Sequence, residues 1–256
     1  MIHSTAIVDA SASIADDVEI GPYSIIGADV EIGSGTWVGP HVVINGPTTI
    51  GKNNKIFQFA SLGEMPQDKK YDGEPTRLEI GDGNIIREYV TMNRGTVQDV
   101  GTTTIGNDNW IMAYVHIAHD CIIGNDIIMA NSTSLAGHVR IDDHVITGGF
   151  SLIYQFCSLG AYSFTGFGAQ VNKDVPPYVT VAGQLAKPFG INSEGMRRHK
   201  FSSESISAIK KAYKLLYRSN MMLSDASKKI SEMSQEHPEL TIMLDFIGKS
   251  QRGIIR

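Results

Sequence analysis

The chain has 256 residues, 22 Lys and Arg against 27 Asp and Glu, and two cysteines, a composition that excludes collagen-like and disordered classes. No apolar run approaches the roughly 20 residues needed to span a bilayer, and the stretch from Met1 to Glu19 carries Asp9, Asp16 and Asp17 instead of the cationic region of a secretory signal. Two cysteines make no disulfide framework, so a cytoplasmic protein is expected. The net charge of -5 is unevenly spread: residues 1–188 hold 10 Lys/Arg and 20 Asp/Glu, whereas 189–256 hold 12 and 7. Such asymmetry marks either a docking surface for a charged partner or a lysine-rich helical tail.

From the N-terminus onward, an aliphatic residue recurs every sixth position: Ile2, Val8, Ile14, Ile20, Ile26, Ile32, Val38, Ile44, Ile50, Ile56 and Leu62. The register returns at Ile80, Ile86 and Met92. After a further break it resumes, shifted by one, from Ile105 through Ile111, Ile117, Ile123, Met129, Leu135, Ile141, Thr147, Ile153, Leu159 and Thr165 to Val171. The next residue is often glycine (Gly21, Gly27, Gly33), and two positions earlier stands a small or β-branched one (Val18, Ser24, Val30). A period of six suits neither a 3.6-residue helix nor an alternating strand. It predicts a left-handed parallel β-helix of hexapeptide repeats, in which every sixth side chain fills a narrow interior and glycine or a small polar residue turns each corner. Three strands close a triangular coil, so one coil takes about 18 residues. Cys121 and Cys157 then lie two coils apart, roughly 9–10 Å and beyond disulfide reach.

Two segments break the repeat. Gly63 to Leu78 adds a loop carrying Gln67, Asp68, Lys69 and Lys70 without changing register; the second, about Asn93 to Thr104, is rich in Gly and Thr with few reactive groups. Insertions are where a solenoid places its chemistry. Beyond Val171, the run from Asp174 to Pro177 stops strand pairing. Helices follow: Ser202 or Ser203 is expected to cap one with Ile206, Ile209, Ala212, Tyr213 and Leu216 on a single face. Ser224 is expected to cap a second, and Pro238 to open a third bearing Leu240, Met243, Leu244 and Ile247. A division at 187/188 is expected, with a catalytic β-helix over 1–187 and a helical domain over 188–256 that closes the open end of the solenoid.

The 18-residue coil also sorts the histidines. His119 stands two past the inward Ile117, on the outside; Gly137 lies one coil above it and Gln155 one coil further, with His116 and His138 alongside. This cluster admits three readings: surface histidines, a metal site, or a general base beside an N–H that can bind an oxyanion.

The stretches HIAHDC (His116 to Cys121), LAGHV (Leu135 to Val139), GEPTR (Gly73 to Arg77), QFASLGE (Gln58 to Glu64), DVPPY (Asp174 to Tyr178) and PFGIN (Pro188 to Asn192), in that spacing, resemble the UDP-N-acetylglucosamine 3-O-acyltransferase family over essentially the whole chain. The resemblance implies transfer of a 3-hydroxyacyl group from acyl carrier protein to the sugar 3-hydroxyl of a UDP-sugar, the first step of lipid A synthesis. It implies a homotrimer with the site between protomers, no metal or organic cofactor, no nucleic-acid partner and no membrane insertion. His119 resembles the general base, Gly137 the oxyanion-binding N–H, and Asp120 a group that orients the base, although neighbours on one strand point opposite ways. Asp68, Lys70, His116 and His138 match residues lining the sugar and acyl site; Gln155, Asn192, Glu194 and Arg198 match those that meet the nucleotide. Three positions depart from the family pattern. Tyr154 stands where relatives have histidine beside the sugar, His199 replaces the second of two arginines, and Phe167 replaces a small residue or methionine at the end of the acyl groove. Tyr154 leaves open the 3-amino analogue of the sugar as acceptor, and a scaffold without chemistry is the reading from a different class.

Overall fold

The computed structural model describes residues 1–256. Its 27 short strands form three sheets of nine, eight and ten strands, and from Ile7–Val8 to Leu152–Ile153 each strand pairs in parallel with the strand three further along. The register is one 18-residue coil: Ile7 lies beside Ile25, Ile122 beside Arg140, and Ile128 beside Ile146. The sheets are the three faces of a left-handed β-helix. The first face includes His116–Ile117, Ser134–Leu135 and Leu152–Ile153; the second includes Ile122–Ile123 and Arg140–Ile141; the third includes Ile128–Met129 and Ile146–Thr147.

The second residue of each pair points inward, and from Ile20 to Val171 the sixfold column is buried in a cluster of 40 residues. The two threonines in that column are buried because each finds an internal partner. Thr147 bonds Thr133 at 2.9 Å, and Thr165 bonds Ser151 at 2.7 Å. Both cysteines are buried and unpaired, and burial pushes their thiols up to about 12 for Cys121 and about 11 for Cys157.

The expectation of glycine or a small polar residue holds at corners such as Asp29, Gly35, Asn53, Asp108 and Ser132, and fails at others. Most corners have one residue with a left-handed backbone, and on the edge from the third to the first face these are Tyr23, His41, Phe59, Tyr89 and Tyr114, then Ser132, Phe150 and Gly168. A bulky side chain in this region is ordinarily strained. Here the coil repeat stacks the rings from Tyr23 to Tyr114 into a column, with successive centroids 5.2, 5.4, 5.0 and 4.8 Å apart, and aromatic stacking offsets part of that cost.

The first loop enters between Ser61–Glu64 and Arg77–Ile80, and the second between Thr91–Asn93 and Thr102–Ile105. Parallel pairing resumes beyond each, Leu62 with Met92 and Ile80 with Ile105. At the far end, Val179–Ala182 pairs antiparallel with Lys187–Ile191, so the expected division at 187/188 falls inside a strand. Four helices follow: α1 (Ser193–Arg198), α2 (Ser203–Tyr217), α3 (Leu223–Ser234) and α4 (Leu240–Lys249). Ser202 caps α2 by accepting from Ser205 N. Ser224 does not cap α3, because the helix begins one residue earlier, after an extended Met222 with no side-chain cap. Pro238 lies in the turn ahead of α4, where its carbonyl accepts from Thr241 N. Tyr213 of α2 and Ile255 of the tail join the solenoid core and so close its upper end, whereas Ile2 at the other end is half-exposed. No helix is long and apolar enough to cross a membrane.

Asn54, Asn84 and Asn109 form a buried ladder in the small inward phase. Asn84 Nδ2 donates to Asn54 Oδ1 at 3.1 Å and to Gly106 O at 2.9 Å, and Asn84 Oδ1 accepts from Asn109 Nδ2 at 2.9 Å. Truncating Asn84 leaves several of these groups buried without a partner, each worth about 1–3 kcal/mol. Asn84→Ala should lower stability in urea by about 2–4 kcal/mol, while the exposed Asn131→Ala stays within about 0.5 kcal/mol. Equal losses in the two variants would deny the ladder its role.

Candidate active site

Both breaks in the repeat open at the same edge, between the first and second faces, and the turn after His116–Ile117 brings His119 and Asp120 to that edge. The first loop is held by the next coil. Asn93 Nδ2 donates to Met65 O at 2.7 Å, and Arg94 donates to Gly46 O and, at 3.1 Å, to Tyr71 Oη.

Asp120 is not a strand residue. It turns the corner with φ 58°, which swings its carboxylate back beside its neighbour, and His119 Nδ1 lies 2.8 Å from Asp120 Oδ2. The doubt that adjacent strand residues point apart therefore does not apply. The carboxylate is buried, and it also accepts from Thr96 N at 2.9 Å and Thr96 Oγ1 at 2.6 Å, while Asp120 N donates to Thr103 Oγ1 at 2.8 Å. Burial pushes the Asp120 acid upward, but the bonds from His119 and Thr96 outweigh it and hold the carboxyl below the usual range. An ionised carboxylate only accepts, so Nδ1 of His119 carries the proton and Nε2 presents its lone pair.

Gly137 lies directly over that ring. A Cβ there would stand 2.6 Å from His119 Cε1 and 2.8 Å from Nε2, so any side chain would cover the imidazole. The Gly137 N–H donates to no protein group, while the next amide, His138 N, bonds His119 O at 3.0 Å. His138 turns the corner above Asp120. Its Nδ1 is 2.8 Å from Asp99 Oδ2, and its ring meets His119 edge-on at 5.0 Å and stacks on Phe156 at 4.4 Å. Thr96 and Asp99 both come from the second loop, which the sequence reading passed over as poor in reactive groups. The available signal was its position, after the same inward column as His119. His119, Asp120 and His138 offer ligand atoms within 4.8 Å of one another. Yet each ring already has its own carboxylate, and both Asp120 oxygens are committed, which suits proton transfer better than metal binding.

His116 projects from the first face, with Nδ1 2.8 Å from Thr91 Oγ1. It borders an open groove of about 680 Å³ whose other walls include Ser134, Leu152, Tyr154, Gln155 and Arg252. Arg252, from the C-terminal tail, is a further residue that sequence patterning did not single out. Asp68 accepts from Lys70 N at 3.0 Å within its loop, and neither residue hydrogen-bonds a histidine.

The remaining candidates lie elsewhere. Asn192 caps α1 by accepting from Gly195 N and donates to Tyr162 O, on the edge between the second and third faces. Glu194 pairs with Arg197 and Arg198 at 3.4 and 3.3 Å, and His199 faces His144 and Asp126. Gln155 stands on the His119 edge, so within one chain the set matched to the nucleotide is split between two edges. Phe167 is exposed on the third edge, its ring 5.5 Å from that of Phe150.

Burial, and secondly the charge of His119, lowers the pKa of His116. Its folded value lies below the unfolded value of about 6.5. The stability it contributes is therefore present above about pH 6.5 and lost as pH falls through the folded pKa. Urea unfolding should show a smaller loss between pH 7.5 and 5.5 for His116→Asn than for the parent chain; identical losses would mean that His116 is not a source of the slope.

Comparison with known proteins gives the family of the chain. Residues 174–255 match the family described as Udp N-acetylglucosamine O-acyltransferase, domain 2, and residues 102–137 match bacterial transferase hexapeptide (six repeats). The chain is 60% identical over 255 residues to the acyl-[acyl-carrier-protein]–UDP-N-acetylglucosamine O-acyltransferase of Thiobacillus denitrificans, covering 100% of this chain and 99% of the relative. It is similar in structure to the UDP-N-acetylglucosamine acyltransferase of Francisella novicida (TM-score 0.98, 47% identity, 100% of this chain and 94% of that one). The UDP-N-acetylglucosamine O-acyltransferase of Moraxella catarrhalis gives a TM-score of 0.97 at 48% identity, covering 100% and 99%. This chain belongs to the acyl-[acyl-carrier-protein]–UDP-N-acetylglucosamine O-acyltransferase family.

Proposed function

We propose that this protein transfers a 3-hydroxyacyl group from acyl carrier protein to the 3-hydroxyl of UDP-N-acetylglucosamine, the opening step of lipid A biosynthesis in the cytoplasm. The observation that carries the mechanism is the His119–Asp120 pair under an unengaged Gly137 N–H. His119 Nε2 takes the hydroxyl proton while the sugar oxygen attacks the thioester carbonyl. The Gly137 N–H receives the oxyanion of the tetrahedral intermediate. Collapse breaks the carbon–sulfur bond, and the imidazolium returns its proton to the departing thiolate. Asp120 holds the tautomer and stabilises the imidazolium between the two transfers.

The working unit is a homotrimer. His119 and Gln155 stand on one edge, and Asn192, Glu194 and Arg198 on another, so a nucleotide that touches both sets needs two chains. A neighbouring chain also supplies the wall that an outward-facing site lacks, excluding water from the reaction. Cyclic symmetry then gives three equivalent sites. His119→Ala should cut kcat by 10²-fold or more, the usual share of a general base, with circular dichroism unchanged. Arg198→Ala should weaken nucleotide binding. Co-assembled from the two variants, mixed trimers should regain activity, because some boundaries pair an intact His119 edge with an intact Arg198 edge. Mixed trimers no more active than either variant would place the whole site within one chain.

Phe167 ends the acyl groove. It lies two and two-thirds coils above His119, roughly 13 Å along the stack, which suits a chain of about ten carbons. Phe167→Gly should admit longer donors, each added methylene being worth about 0.8 kcal/mol when buried, or close to fourfold in selectivity. Transfer rates for 10-, 12- and 14-carbon donors measure this, and an unchanged length profile would put the end of the groove elsewhere.

A further inference from the structure

The edge between the second and third faces carries a side-chain cluster that the acyl-transfer chemistry does not use. Asp126 and His144 occupy equivalent corners of consecutive coils, with φ 53° and 62°, and His199 ends α1 beside them. His144 Nδ1 lies 2.7 Å from Asp126 Oδ2, His199 Nε2 lies 4.0 Å from the same oxygen, and the two imidazole centroids are 4.4 Å apart. One ligand atom from each residue falls within 4.8 Å of the others. We propose that Asp126, His144 and His199 bind a divalent transition metal of the zinc class, tying α1 to the side of the β-helix. This site stands whether or not the chain is an acyltransferase.

Two imidazoles and one carboxylate are a ligand set that zinc uses with a fourth position left to water. With metal–nitrogen and metal–oxygen bonds of about 2.0–2.2 Å, tetrahedral ligand atoms sit about 3.3–3.5 Å apart. The observed separations of 2.7 and 4.0 Å straddle that distance. The two corner backbones are fixed by the coils, so rotation of the imidazoles supplies the adjustment. Bond exchange is balanced: the proton on His144 Nδ1 passes through solvent to Nε2 of the same ring, which stays neutral, and the metal takes the freed Nδ1 lone pair. Tyr162 stacks on His144 at 4.6 Å and meets His199 edge-on at 5.3 Å, which keeps both rings beside Asp126.

The Asp126 carboxylate at the centre of the cluster selects a cation over an anion. It is half-exposed and bonded only to His144, unlike the buried Asp120 with its several donors. An ion can therefore enter this cluster without dismantling a network.

The test is calorimetric titration of the full chain, freed of metal by chelator and gel filtration, with zinc chloride. One equivalent should bind per chain and raise Tm. His144→Gln and His199→Gln should each weaken that equivalent by at least about tenfold and abolish the Tm shift, with circular dichroism checking that they fold. His138→Gln should bind zinc as the parent does. The proposal is overturned by absence of binding at micromolar zinc, by binding that survives both edge variants, or by binding lost only in His138→Gln.

Discussion

Parallel pairing between residues one coil apart is the constraint on which the rest of this structure depends. Because Ile117 lies over Leu135 and Leu135 over Ile153, side chains at equivalent positions stack into columns along the prism. A slip of one residue would turn each inward aliphatic to solvent and each outward group into the core. The two loops respect this: each leaves from a corner, and the pairing beyond it resumes between inward residues. The active-site edge is one more use of the same columns. Asp120, His138 and Phe156 share the left-handed corner position, while His119, Gly137 and Gln155 share the position before it.

The corner conformation converts that stacking into chemistry. A left-handed residue turns the chain sharply enough for adjacent side chains to meet, so His119 and Asp120 bond to each other instead of pointing to opposite sides of a strand. Burying the Asp120 carboxylate costs free energy that donors from His119 and Thr96 offset, and the result is a carboxylate with no freedom to move. On another edge the same coil geometry pairs Asp126 with His144 one coil apart, but there the carboxylate faces solvent. Two clusters of similar composition thus differ in burial and in committed bonds, and that difference separates the proposed base from the proposed ligand set.

Much of the solenoid was legible because a period of six has a single structural solution. The inward column, the 18-residue coil, the unpaired cysteines and the meeting of His119 with Gly137 all follow from counting along the chain. Counting did not reveal what turned the corners. Tyr23, Phe59 and Tyr114 are poor candidates for a left-handed backbone when each is taken alone, and they become acceptable through contact with rings a coil away. Nor did the start of α3 follow from Ser224, since the turn through Ser219 and Met221 sets where that helix begins.

By itself the sequence determined the repeat, the coil length, the phase of each side chain and therefore the column in which each candidate residue stands. Those properties are local and periodic, so one coil predicts the next. The partners of Asp120 were decided only by tertiary structure, because Thr96 belongs to an insertion with no period. Tertiary structure also decided that Asn192 and Arg198 stand on a different edge from Gln155, since the direction in which α1 leaves the last coil depends on how Met196, Ala208 and Ile209 pack around Tyr178. Packing of that kind brings together residues distant in sequence, and a single chain carries no periodic signal of it.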